Sequence, residues 1–191
     1  MLYAQVHLTL PAWVHDAVDS SRTYASDAEK VGLAIELSQH NIDARTGGPF
    51  GAVVFGLDDR IIAVGVNRVT PHTCSVAHAE MMAYMLAQGR TQRLRLNRDE
   101  DDNVVGPVTL ATSSQPCCQC YGATVWAGID RLLIGARAED VMALTEFDEG
   151  PLPADWIGEL NARGIEVVRD IQRDAACTVL RTYGEQDGPR Y

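Results

Sequence analysis

The chain has 191 residues, 46% of them hydrophobic and 22% charged, and carries a net charge of -10 from 16 basic and 26 acidic side chains. Ordinary apolar content excludes a wholly disordered chain, and no apolar run reaches the roughly 18 residues a membrane span requires. The acidic balance argues against nucleic acid as a partner, because such binding relies on Lys and Arg displacing counterions from phosphates. A chain of this size buries about 70% of its unfolded surface and needs no disulfide staples.

Residues 1–26 read as an extension packed on a single domain spanning 27–191, with a short helix near residues 13–18. Nothing in Met-Leu-Tyr-Ala-Gln-Val-His resembles the basic and apolar regions of a signal peptide, so a cytoplasmic setting is expected. From Ala28, the apolar positions Val31, Ala34, Ile35, Leu37 and Ile42 form a helical stripe, closed by Arg45-Thr46-Gly47-Gly48-Pro49. Residues 50–57 and 61–67 are β-rich runs around Asp58-Asp59-Arg60, a hairpin signal.

A helix over 76–89 follows, then a polar segment that loops out as far as Gly106. The remaining elements alternate: a strand at 108–111, a helix at 117–126 ended by Gly128, a strand at 131–134 and a helix near 139–144. After an acidic, Pro-containing loop at 147–153 come a helix at 156–162, a strand at 165–168 and a terminal helix from about 174 to 183. Strands alternating with helices after an opening hairpin imply an α/β fold, a mixed sheet with helices on both faces.

Chemistry concentrates in His78-Ala79-Glu80 and Pro116-Cys117-Cys118-Gln119-Cys120. Cys117 and Cys120 are three apart, so at a helix start both sulfurs leave one face, where the helix N-terminus favours thiolate. Two thiolates and a neutral imidazole leave one Zn²⁺ formally neutral with its fourth position open, the pattern of a catalytic site. The water held there ionises near neutral pH. Glu80, two residues beyond His78, diverges from it and can move that water's proton without being a ligand. Cys74 and Cys177 read as packing residues, and Cys118 points off the ligand face.

These residues reproduce the H-x-E…P-C-x-x-C signature of zinc deaminases. The chain therefore resembles the cytidine/deoxycytidylate deaminase superfamily, and within it the guanine deaminase branch, from about Val31 onward. Gly47-Gly48-Pro49-Phe50-Gly51-Ala52-Val53, Tyr121-Gly122-Ala123-Thr124-Val125-Trp126-Ala127 and Phe147-Asp148-Glu149-Gly150 are similar to segments of that branch. The resemblance implies a three-layer cytidine-deaminase-like fold with about five strands, and conversion of guanine to xanthine and ammonia. It implies that Asn67 hydrogen-bonds the purine and that Phe50 and Trp126 shape the ring slot. Ala79 and Asp148 would contact substrate, and Glu149 would be a second catalytic acid. Tyr191 would close the pocket, its own or a partner's, in a homodimer with exchanged C-terminal segments.

The bottom-up reading of a neutral planar ring fits the same residues: such a base needs an apolar slot with a few fixed polar groups, and Asn offers both donor and acceptor. One departure stands out, because the branch usually has Glu before Pro-Cys and this chain has Gln115. Other small rings remain open alternatives: an s-triazine such as ammeline, a pterin, cytosine or a nucleoside. A tRNA adenosine deaminase is disfavoured by charge, and a non-catalytic zinc protein leaves Glu80 without a role.

Overall fold

Along the run Gly51–Phe55, Ala52 and Val54 face one way and Val53 and Phe55 the other, yet all four are fully buried. A strand buried on both sides belongs to a sheet covered on both faces. The computed structural model, which describes residues 4–186 and 189, has this three-layer form. Its strands are β1 (Gly51–Phe55), β2 (Ile61–Val66), β3 (Thr109–Ser114), β4 (Arg131–Ala136) and β5 (Glu166–Val168), in the spatial order β2-β1-β3-β4-β5. β1 runs antiparallel to β2 and β3, whereas β3, β4 and β5 are parallel. The expected mixed sheet of about five strands is present.

The helices are α1 (Val14–Ala17), α2 (Asp27–Asp43), α3 (Val69–His72), α4 (Ala79–Thr91), α5 (Cys118–Ala127), α6 (Ala138–Thr145), α7 (Trp156–Asn161) and α8 (Arg173–Glu185). One core gathers α2, α6 and α8 against the sheet through Val31, Leu37, Phe55, Leu133, Val141 and Leu180. The other gathers α4 and the residues around α5 and α7 against the opposite face through Val54, Ala83, Ala87, Leu110, Ala127 and Leu160. Ser26 starts α2 with a reciprocal cap: its Oγ accepts from Glu29 N, and the Glu29 carboxylate accepts from Ser26 N.

The N-terminal residues lie against the first core, with Val14 and Tyr24 buried and Leu10, Trp13 and Val18 partly so. α4 begins at Ala79, three residues later than the periodicity predicts, because 74–77 form a turn in which Ala77 N donates to Cys74 O. β3 extends to Ser114, beyond the apolar run. Thr112 and Ser114 pair with Ile134 and Ala136 of β4, so tertiary pairing recruits small polar residues into the strand.

One close approach fixes α4 on the sheet. A Cβ on Gly65 of β2 would lie 2.0 Å from Ala79 O and 2.6 Å from Ala83 N. Only glycine lets the first turn of α4 come down on β2 at this depth.

Candidate active site

Topology brings the site together. Because β1 is antiparallel to both neighbours, the open end of the β1–β2 hairpin meets the carboxyl end of β3: Gly51 pairs with Val66, and Ala52 with Thr112. Phe50 and Asn67 sit at that open end, joined by Asn67 N donating to Phe50 O at 3.1 Å. Past the end of β3, Gln115 and Pro116 lead into α5.

His78 is the N-cap residue of α4 and Cys117 that of α5, so the N-termini of two helices converge on one point. Cys120 follows one turn into α5 and is fully buried. His78 Nδ1 lies 3.4 Å from Cys117 Sγ and 3.6 Å from Cys120 Sγ, and the three ligand atoms all fall within 4.8 Å of one another. Tetrahedral zinc, with Zn–S near 2.3 Å and Zn–N near 2.0 Å, separates sulfur from nitrogen by about 3.5 Å. The triad fits that ion in distance as well as in donor chemistry. Among the described residues it is the one cluster of three His, Cys or carboxylate groups with this spacing.

The titration of these groups reflects shared charge. The Cys120 thiol, hydrogen-bonded to Cys117, brings the Cys117 sulfur down to about 4 despite its burial. The same bond, together with burial and the Glu80 charge, pushes Cys120 strongly up. Without metal the two sulfurs thus hold one proton between them. Burial pulls His78 down, but the Cys117 sulfur and the carboxylates of Glu80 and Glu149 more than offset it and leave its pKa raised.

Glu80 and Glu149 are both buried beside the triad. Burial, reinforced by the Cys117 charge, lifts Glu80 to about 7; burial with Cys117 and Glu80 lifts Glu149 to about 8. Two carboxyl groups that hold protons near neutrality are suited to proton transfer.

The cavity in front of the triad is lined by Phe50, Asn67 and Gln115 on the strand side and by Phe147, Asp148 and Glu149 on the loop side. The Phe50 and Phe147 ring centroids are 5.6 Å apart, and Tyr183 of α8 stacks behind Phe147 at 5.9 Å. Asn67 Oδ1 accepts from Val69 N at 3.2 Å and from Gly48 N at 3.4 Å, so its carbonyl is committed and its amide nitrogen is left as a donor. Asp148 is exposed and accepts from Gly150 N at 2.9 Å, closing the turn that turns Glu149 inward.

Of the residues singled out in the sequence, the structure gathers His78, Cys117, Cys120, Glu80, Glu149, Asp148, Asn67 and Phe50 around one cavity. Ala79 packs its side chain into the core; as the first residue of α4, its N–H has no intrahelical acceptor. Trp126 is not brought to the site. α5 buries Cys120, Thr124 and Ala127, spaced four and three apart, and this turns Trp126 outward to 80% exposure. Tyr191 lies outside the described residues.

Two cavity residues escaped the sequence reading of substrate contacts. Phe147 takes the place in the aromatic wall expected of Trp126, and its signal was an aromatic residue directly before the acidic pair. Gln115 was legible only as a departure from a motif. A larger cleft of about 690 Å³ lies beyond Gly47, between Ile42, Thr70 and Tyr183, but it does not contain the metal-ligating cluster.

Residues 25–136, more than half of the chain, match the family model of the cytidine and deoxycytidylate deaminase zinc-binding region. Guanine deaminase from Nitrosomonas europaea superposes with a TM-score of 0.88 at 40% identity, covering 97% of this chain and 99% of that one. A relative solved in complex with 2,6-diaminopurine is 42% identical, with a TM-score of 0.87 over 97% of this chain and 95% of its own. The probable cytosine deaminase of Schizosaccharomyces pombe is 33% identical over 164 residues, 82% of this chain and 90% of that protein. With its zinc-ligand triad, its two buried acids and this match, the chain belongs to the cytidine and deoxycytidylate deaminase zinc-binding family.

Proposed function

We propose that the protein hydrolyses guanine to xanthine and ammonia. The observation that carries this reading is two buried carboxyls, Glu80 and Glu149, beside the His78–Cys117–Cys120 triad in a cavity with Phe50 and Phe147 in its lining. It is supported by similarity to a guanine deaminase and to a protein solved with a diaminopurine bound.

Zinc, when bound to His78, Cys117 and Cys120, supplies the Lewis acidity that makes water a nucleophile near neutral pH. The chain's own residues do the rest. The touching rings of Phe50 and Phe147 form one apolar wall for the substrate ring, and the Asn67 amide donates to an acceptor on its edge, such as the guanine carbonyl. Glu80 takes the proton released as water oxygen bonds to C2 and delivers it to the adjacent ring nitrogen. Glu149 gives a proton to the exocyclic amine as the C2–N bond breaks, so that ammonia departs, and the proton still on the C2 oxygen passes to Glu80 as the xanthine carbonyl forms and is relayed back to Glu149. The Ala79 N–H and the Asp148 carboxylate serve at the edges of the slot.

The reading extends to a cytoplasmic homodimer acting in purine metabolism. Five free cysteines suit a reducing compartment, and exposed apolar side chains on α4 and α5, among them Met85, Leu86 and Trp126, suit burial by a second copy. No helix among the described residues is long and apolar enough to cross a membrane.

The test is ammonia release by purified, zinc-loaded protein from guanine, with ammeline and cytosine in parallel. Release from guanine with stoichiometric xanthine is the expected outcome. Turnover of cytosine alone, the activity named for the Schizosaccharomyces relative, would keep the site chemistry and discard the purine.

A further inference from the structure

Asn67 is held from behind by a chain of hydrogen bonds that begins in the N-terminal segment. Trp13 Nε1 donates to Thr46 Oγ1 at 3.0 Å, and Thr46 Oγ1 donates to Asn41 Oδ1 at 2.8 Å. Asn41, fully buried in the last turns of α2, donates through Nδ2 to Gly48 O at 2.8 Å and to Asn67 O at 3.0 Å. Gly48 N returns to Asn67 Oδ1. Both the backbone and the side-chain oxygen of Asn67 are therefore fixed by groups that this chain of bonds positions.

Packing reinforces the bonds. A Cβ on Gly47 would lie 1.9 Å from Asn67 O and 2.7 Å from Asn41 Nδ2, so the 46–48 segment and Asn67 are in backbone contact. Trp13 stacks on His40 of α2 at 5.5 Å. Arg68, next to Asn67, donates to Thr9 O at 3.0 Å and also to Thr46 O, which ties Thr9 and Thr46 to one guanidinium. Thr9 and Trp13 precede the region matched by the family model.

We propose that Trp13, Thr46 and Asn41 are positioning residues for substrate recognition: the N-terminal segment is a strap that fixes the direction in which Asn67 presents its amide. With its backbone and side-chain oxygens both restrained, Asn67 offers one hydrogen-bond polarity to a ring edge. Released, it can rotate and present either, which lowers both affinity and discrimination. The proposal rests on Asn67 contacting the ring, as in the function proposed above.

Two substrate-independent and two substrate-dependent readouts test it. Trp13→Phe removes one donor, Thr46→Val removes a hydroxyl that accepts from Trp13 and donates to Asn41, and Thr46→Ser restores that hydroxyl. Amide exchange at Gly48 and Val69, whose N–H groups hold Asn67 Oδ1, should quicken in the first two variants and return in the third, with zinc content unchanged throughout. With guanine, KM should rise about three- to tenfold, the size of one lost hydrogen bond, while kcat stays within about twofold. In an Asn67→Ala background the same changes should add nothing to KM.

Unchanged exchange and KM, or a KM effect that persists in full without the Asn67 side chain, would overturn the strap. A wild-type protein inert toward guanine would strike the guanine assignment alone, and the exchange readout would then decide the strap. If Asn67→Ala leaves KM unmoved, the recognition role fails, and the strap's role in recognition fails with it.

Discussion

Cys118 N donates to Glu149 O at 3.0 Å, so the loop that carries one buried acid is tied to the helix start that carries two zinc ligands. Immediately afterwards Gly150 adopts φ +66°, where a Cβ would lie 2.5 Å from Cys118 Sγ. The loop thus lies directly on α5, and Phe147 secures its other end between Phe50 and Tyr183. Glu149 is placed by these contacts from both sides.

Gly150→Ala should therefore misplace Glu149 without touching a metal ligand. The left-handed backbone and the contact with Cys118 together should cost about 2 kcal/mol of stability. Zinc should stay stoichiometric while kcat falls at least tenfold. Calorimetry, metal analysis and steady-state kinetics on one preparation check all three.

The two acids should separate by kinetics. Glu80→Gln keeps the shape of the side chain and removes its ability to take a proton, so turnover should drop by about 10²–10⁴, with folding and zinc content intact. Glu149→Gln should lower kcat more than it raises KM, because the proton it supplies matters only as the amine leaves. A Glu149→Gln variant with normal kcat and raised KM would instead make that residue a reader of the ring.

How much of this was readable beforehand depended on how local each signal was. His78, Glu80, Cys117 and Cys120 were legible because their spacing is itself the chemistry: two short motifs at helix starts. The β1–β2 hairpin was legible from two apolar runs around an acidic turn. The end of β3 was not, since Thr112 and Ser114 become strand through pairing with β4, and Thr112 with β1 as well. The short α3 likewise escaped notice, as a single turn containing Pro71 has no periodicity to read. Trp126 lies away from the cavity because the buried face of α5, which the motif resemblance does not give, turns it outward. Phe147 reaches the slot only because α8, distant in sequence, braces it through Tyr183.

Zinc affinity should rise with pH. In the metal-free site Cys117 and Cys120 share a proton, the Cys117 sulfur being lowered to about 4 and Cys120 raised, and both must be thiolates to hold zinc. Around neutral pH at least one proton leaves for each ion bound, so affinity should increase by about tenfold per pH unit. Competition titrations at several pH values measure the slope, and His78→Ala and Cys117→Ala should abolish stoichiometric binding altogether. A pH-independent affinity would mean that the sulfurs are already fully ionised without metal.

The mutual placing of α4 and α5 depends on a buried pair away from the metal. Tyr84 Oη and Thr124 Oγ1 are 2.8 Å apart, and Thr124 Oγ1 donates back to Cys120 O at 2.8 Å. This bridge joins the helix that starts at His78 to the backbone of a ligand on the other helix, within a region where no solvent can replace a lost bond. With Thr124 committed to Cys120 O, the remaining proton is the Tyr84 phenol's, and burial raises the pKa of that phenol well above its ordinary value, keeping it a donor. Tyr84→Phe keeps the ring in the core and removes only the donor. We expect a stability loss of about 1–2 kcal/mol and a weaker zinc affinity, because Thr124, which holds the Cys120 carbonyl, then loses its tie to α4. Thr124→Val removes the opposite partner and should give a similar loss, and the double variant should cost less than the sum of the two. Additive losses would show that the two hydroxyls act independently and that the helices are aligned by their apolar contacts.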